Sequence, residues 1–194
     1  MRPNKRDELV RKALDVFYRN GFHATGMDKL VSETGVSKTS MYKHFRTKED
    51  LILAVLRLRD ESFRNRIMRR VEQIADTPAG QLIATFDAFK EWFEEDDFRG
   101  CMFLKAAAEY QDASHPIHVQ AAEHKRVMLE YLTSLARQSG AHAPELLARQ
   151  IVLLQEGAIV SAVLLKNGNP AEDAKVAAQL LLDAALTRKN AALH

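Results

Sequence analysis

The chain's five prolines stand at Pro3, Pro78, Pro116, Pro144 and Pro170, and each precedes a stretch with helical apolar spacing. Proline suits the first helical position, where its missing N–H has no partner to lose. Thr77 before Pro78 and Asn169 before Pro170 offer side-chain oxygens as N-caps. Asn20-Gly21, Gly140 and Asn167-Gly168 stand where such stretches stop, because glycine readily takes the left-handed conformation after a helix. No segment sustains strand alternation, and β-branched clusters are sparse. This punctuation predicts an all-α fold of about nine helices. They are expected over roughly 4–20, 27–34, 38–45, 48–75, from 78, 100–110, 116–139, 144–166 and from 170 to near Lys189. Apolar stripes support them, such as Leu9, Val10, Ala13, Leu14 and Phe17 in the first and Leu82, Phe86, Phe89 and Phe93 in the fifth.

Hydrophobic residues make up 46% of the chain and charged residues 28%, a balance that predicts a packed globule. No apolar run is expected to reach the length that spans a bilayer, so no membrane partner is expected. The start, MRPNKRDELVRK, lacks the apolar region of a secretory signal. A single cysteine excludes an intramolecular disulfide and a multi-cysteine zinc site. A cytoplasmic location without cofactor is the default expectation. The small net charge hides an asymmetry. Residues 1–70 hold 17 Lys and Arg against 9 Asp and Glu, whereas residues 71–194 hold 11 against 17. A basic first third on an acidic body points to a polyanionic partner, although solvated surface charge gives the same count.

Two short predicted helices joined by SETGVSK form a helix-turn-helix candidate. Gly35 sits where the chain must turn sharply. Leu30, Val36 and Met41 are spaced to make the core between the helices. Ser37 can cap the second helix, which would aim Lys38, Thr39 and Ser40 at base edges in a major groove. Tyr42, Lys43, His44 and Lys48 lie along its flank, suited to phosphates. A helical hairpin with a solvated charged face has the same spacing.

The run ALDVFYRNGFHATGMDKLVSETGVSKTSMYKHFRTKEDLILAVL, from Ala13 to Leu56, resembles the DNA-binding domain of the TetR family of transcriptional regulators. The matching elements are A-x-x-x-F-x-x-x-G-F-x-x-T, the GVS turn, M-Y-x-H-F and K-E-D-L. The resemblance implies that Lys38, Thr39, Ser40, Tyr42, Lys43 and His44 belong to a recognition helix. It also implies that Thr25 and Lys48 approach phosphates. Val31 and Thr34 depart from positions that are usually Ala, Gly26 from one where Ser or Thr is common, and Thr39 from one that is often Gly, Ala or Pro. A boundary near residue 48 would divide a DNA-binding domain, 1–48, from an effector-binding and dimerisation domain, 49–194.

The resemblance also implies an effector cavity in the body, placed near Phe86, Phe89, Trp92, Cys101, Met102, Lys105 and Gln155. Such a pocket would be mostly apolar with a few orienting polar groups. A stripe of this kind is also what a plain helical core looks like. Cys101 reads either as a small buried hydrophobe or as a thiol that senses electrophiles or oxidants at a helix start. His115, His118 and His124, near Glu109 and Asp112, could hold a metal given a third ligand or could serve as caps and surface groups around Pro116. No metal is expected from this spacing.

The stretch PELLARQIVLLQEGAIVSAVLLK is apolar around most of its circumference, and AAQLLLDAAL repeats the theme. Leu154, Gly157, Ala158, Ser161, Ala162, Leu180, Leu181 and Ala184 are the expected contacts of a four-helix dimer interface. The same residues could instead form the monomer's own core. The function expected is that of a homodimeric, ligand-responsive regulator of transcription, a repressor released from a palindromic double-stranded operator by a small, largely apolar effector. A helical adaptor that reuses the scaffold is the alternative. No positioned nucleophile, base or phosphate loop supports an enzyme.

Overall fold

The computed structural model describes residues 4–165 and 168–187. Among them the chain forms nine helices and no strand: α1 Lys5–Asn20, α2 Met27–Thr34, α3 Lys38–His44, α4 Lys48–Ile74, α5 Pro78–Phe93, α6 Met102–Glu109, α7 Pro116–Gln138, α8 Pro144–Leu164 and α9 Pro170–Thr187. Thr77 Oγ1 accepts the Gly80 N–H at 3.1 Å, and Asn169 Oδ1 accepts that of Glu172 at 3.3 Å, so both expected caps form. Gly21 ends α1 at φ +80°, with its N–H on the Phe17 carbonyl at 2.9 Å. The expected ends near Lys189 and at Lys166 and Asn167 lie outside the described residues.

Packing divides the chain into two compact units. The first holds the described residues through Phe63 together with Cys101–Lys125, and the second holds Arg64–Gly100 together with the described residues from Arg126 onward. Helices α4 and α7 each contribute to both. Packing follows a different line from the division expected at residue 48, because α6 carries side chains that meet α1 and the α1–α2 turn, while the start of α7 meets α4 through Gln120 with Arg57 and His124 with Asp60.

In the first unit Leu9, Val10, Ala13 and Phe17 are buried as the α1 stripe predicts, and Val16 and Tyr18 join them. Leu14 is only half-buried. Phe22, Leu30, Met41, Leu51, Ile52 and Val55 complete this core. Each such large side chain contributes roughly 1.5–3 kcal/mol by leaving water. In the second unit Leu82 and Phe86 of α5 pack with Leu132, Leu135 and Ala136 of α7, Leu147, Ala148 and Ile151 of α8, and Ala178 and Leu182 of α9.

The expectation that no apolar run could span a bilayer needs correction. By length and composition α8 is long and apolar enough to do so. Its Leu147, Ala148, Ile151, Gln155, Ala158 and Ile159 are nevertheless buried in the second unit, as in a core helix.

Candidate nucleic-acid interface

The helix-turn-helix is built from local rules. Gly35 ends α2 at φ +68° and returns its N–H to the Val31 carbonyl at 3.0 Å. Ser37 then caps α3, its hydroxyl accepting the Ser40 N–H at 3.3 Å. Met41 is buried beneath α3 and Leu30 beneath α2, while Val36 is half-buried. The departure at Thr34 is accommodated. Its buried hydroxyl donates to the Leu30 carbonyl at 2.6 Å and accepts the Val36 N–H at 3.2 Å, so no polar atom is stranded.

Lys38, Thr39, Tyr42, Lys43 and His44 are exposed on α3, and Ser40 is half-buried. The polar and aromatic face is thus assembled as the spacing requires. Lys38 Nζ lies 3.3 Å from Asp28 Oδ1. An exposed pair of this kind holds its lysine only weakly, so a phosphate can compete for it.

Two residues differ from expectation. Thr25 is wholly buried and its hydroxyl donates to the Gly21 carbonyl at 2.6 Å, so this side chain holds the α1–α2 turn. Lys48 turns its ammonium inward, donating to the carbonyls of Phe22 at 3.0 Å and Thr25 at 3.4 Å. At Gly26 an added Cβ would meet nothing within 4 Å, and no side chain caps α2 there.

The structure also brings in residues that sequence spacing missed. The Arg6 guanidinium lies 4.9 Å over the Phe45 ring, which places a cation against the end of α3. Glu109, at the end of α6, accepts the backbone N–H of Phe22 at 3.0 Å and that of His23 at 2.5 Å. Both contacts join distant parts of the chain. The only local signal for Arg6 was its place in a basic N-terminus. Beside Glu109, Tyr110 is buried against Phe22, His23 and His115. Burial pushes its phenol up to about 12, and the carboxylates of Glu49 and Glu109 add to the shift.

The seven residues expected to line an effector pocket fall in both units. Phe86, Phe89, Trp92 and Gln155 lie in the second. There Phe89, Trp92, Phe93 and Phe98 form an aromatic cluster with centroid separations of 5.0–6.1 Å. Buried Gln155 donates to Thr85 Oγ1 at 2.8 Å. Cys101, Met102 and Lys105 lie in the first unit. Lys105 turns to α1: its ammonium donates to the Tyr18 carbonyl at 3.3 Å and sits 5.0 Å over the Tyr18 ring. Cys101 is buried and caps α6, its sulfur accepting the Leu104 N–H at 3.4 Å.

The three histidines go to separate partners. His115 Nδ1 accepts the Ile117 N–H at 3.2 Å, His118 Nδ1 lies 2.7 Å from the Tyr110 carbonyl, and His124 Nδ1 lies 2.7 Å from Asp60 Oδ1. Among the described residues no three His, Cys, Asp or Glu converge to hold a metal.

Of the expected dimer contacts, Gly157, Leu180 and Ala184 are exposed, and Leu154, Ser161, Ala162 and Leu181 are half-buried. Ala158 is the exception: it is buried in the second unit's own core. Leu153, Val160, Val163, Leu164 and Val176 are exposed and were not anticipated. A cleft of about 370 Å³ lies along this face, lined by Leu153, Gly157, Ser161, Leu165 and Asp173 among others.

A family profile described as "Bacterial regulatory proteins, tetR family" matches residues 9–55, and one described as "Tetracyclin repressor-like, C-terminal domain" matches residues 78–178. The crystal structure of a TetR-family transcriptional regulator from Streptomyces coelicolor superposes with a TM-score of 0.87 at 30% identity, covering 93% of this chain and 95% of that one. A putative regulator of the same kind from Streptomyces avermitilis gives 0.83 at 30% identity, covering 94% and 98%. The HTH-type transcriptional regulator YjdC of Escherichia coli is 22% identical over 192 residues, 97% of this chain and 99% of that protein. The HTH-type transcriptional activator FasR of Mycolicibacterium smegmatis is 34% identical over 95 residues, which are 49% of this chain and 43% of FasR. The match to FasR therefore spans less than half of that protein.

Proposed function

Because the chain belongs to the TetR family of bacterial transcriptional regulators, we propose that it is a homodimeric repressor that leaves a palindromic operator when a small, largely apolar effector binds. In this reading residues 1–48 contact DNA and residues 49–194 hold the effector and the dimer interface, in the cytoplasm. Lys38, Thr39 and Ser40 read base edges. Tyr42, Lys43 and His44 meet phosphates, with Arg6 added at the end of α3. Lys48 supports the α1–α2 turn and has one ammonium hydrogen beyond the two carbonyl bonds for a phosphate.

The observation that carries the reading is the exposed basic and aromatic face of α3 standing on the buried Met41. A short helix anchored by its apolar side and bare on its polar side is what major-groove docking requires. The exposed leucines and valines of α8 and α9 support a second copy of the chain as partner, since an apolar surface gains most by meeting another. Two-fold pairing there would set the two recognition helices about 34–36 Å apart, one DNA turn. The effector would sit among Phe86, Phe89, Trp92 and Gln155 and shift the population toward a conformer with another spacing.

The test is selection of fragments from randomised duplex DNA by the purified protein. An enriched palindrome is the expected result. Absence of enrichment, with a Lys38→Ala/Tyr42→Ala variant behaving like the wild type, would return the chain to the adaptor reading.

A further inference from the structure

We infer that Glu109 is a positioning residue for sequence-specific DNA binding, acting through the α1–α2 turn; the inference rests on the DNA-binding reading of α3. Gly21 takes φ +80°, and the two N–H groups that follow it converge on one carboxylate. The Phe22 N–H lies 3.0 Å from each Glu109 oxygen, and the His23 N–H lies 2.5 Å from Oε2. Successive amides arranged this way form a concave anion site. Here an internal side chain occupies it. His23 Nδ1 stands 3.8 Å from the same carboxylate.

The carbonyls of the turn are also held. Lys48 donates to the Phe22 and Thr25 carbonyls, and Thr25 donates to the Gly21 carbonyl. A cation from α4 and an anion from α6 thus bracket residues 21–25, which lead directly into α2. Helix α2 sets α3 through the Gly35 turn and the buried Leu30 and Met41. Glu109 lies 87 residues from Phe22 in the chain, so this bracket exists only in the folded protein.

Charge and geometry predict opposite signs. A carboxylate near a DNA-binding face repels phosphates, so as a mere charge its removal would tighten binding. As a positioning group its removal would loosen the turn and weaken specific binding. The experiment compares wild type, Glu109→Gln and Glu109→Ala as full chains. The probes are the duplex enriched by the wild type and a random-sequence duplex of equal length. Melting temperature and the amide resonances of Phe22 and His23 are recorded in parallel. Glu109→Ala is expected to lose about tenfold in affinity for the enriched duplex, from charge-assisted hydrogen bonds removed. Glu109→Gln keeps one acceptor oxygen and should lose less. Affinity for the random duplex should not fall in either variant, because it follows net charge, which each substitution raises by one.

A preserved ratio between the two probes, or tighter binding by both variants, overturns the inference. An equal loss on both probes with a lowered melting temperature also overturns it, because the role is then only structural. Should Glu109→Ala fail to fold, Glu109→Gln decides by the same ratio. If the wild type itself does not distinguish the probes, the regulator reading fails and this inference falls with it, a result visible before any variant is made.

Discussion

Helix α3 and the pair α8–α9 both expose side chains that their neighbours leave uncovered, but of opposite chemistry. On α3 the uncovered groups are lysine, threonine, tyrosine and histidine. On α8 and α9 they are leucine and valine, with Leu153 72% and Leu180 67% exposed. A basic polar face costs little in water and gains from a polyanion. An apolar face gains mainly from a second apolar surface. The contrast is the physical reason for proposing DNA as the partner of the first patch and another copy of the chain as the partner of the second.

The largest expected effect tests that second patch. Leu180→Asp would place a charge in the proposed interface. It should halve the sedimenting mass and lower operator affinity by more than about a hundredfold, the scale of an interface hot spot. An unchanged mass would assign the leucines elsewhere.

The next effect compares two glycines beside the α3 side of the molecule. At Gly21 φ is +80° and a Cβ would come 2.9 Å from Glu109 Oε1, whereas at Gly26 it would meet nothing. Gly21→Ala should cost about 1–3 kcal/mol in urea unfolding, and Gly26→Ala should lie within roughly 0.5 kcal/mol of wild type.

Smaller still is the contrast between Thr25 and Lys43. Thr25→Ala removes an internal hydrogen bond and should cost about 1 kcal/mol of stability while leaving the salt dependence of DNA binding unchanged. Lys43→Ala should leave stability alone and lower the logarithmic salt slope by about 1. A salt-slope change in Thr25→Ala would restore that residue to the phosphate face.

The smallest effect is alkaline. Tyr110 keeps its proton up to about 12 in the folded protein, against about 10 when unfolded. The stability that the neutral phenol contributes is therefore full below about pH 10 and is lost as pH rises toward the folded value. Unfolding titrations of wild type and Tyr110→Phe between about pH 9 and 11 should diverge, with the phenylalanine variant losing less.

Much of this was legible in the residues. Pro78, Pro116, Pro144 and Pro170 begin their helices, and Gly21 and Gly35 end theirs, because backbone freedom is a local property. Lys38, Thr39, Tyr42 and Lys43 fall on one face because helical period alone places them there. Thr25 and Lys48 were legible only as polar residues beside that face. Which way their side chains turn depends on the carbonyls of residues 21–25. The effector set was the least legible. Its five apolar and two polar residues divide between two compact units, and Lys105 is drawn to Tyr18. Hydrophobicity marks that a residue is buried, without saying beside which others.

By itself, then, the amino-acid order determined the helices, their ends, the helix-turn-helix and the sign of its exposed face, since all of these follow from contacts a few residues apart. Only the tertiary structure decided that Thr25 is buried, that Lys48 holds one turn by its carbonyls and Glu109 by its amides, and which face of α8 stays bare. Those outcomes depend on groups up to 87 residues apart meeting in space, and no local spacing encodes such a meeting.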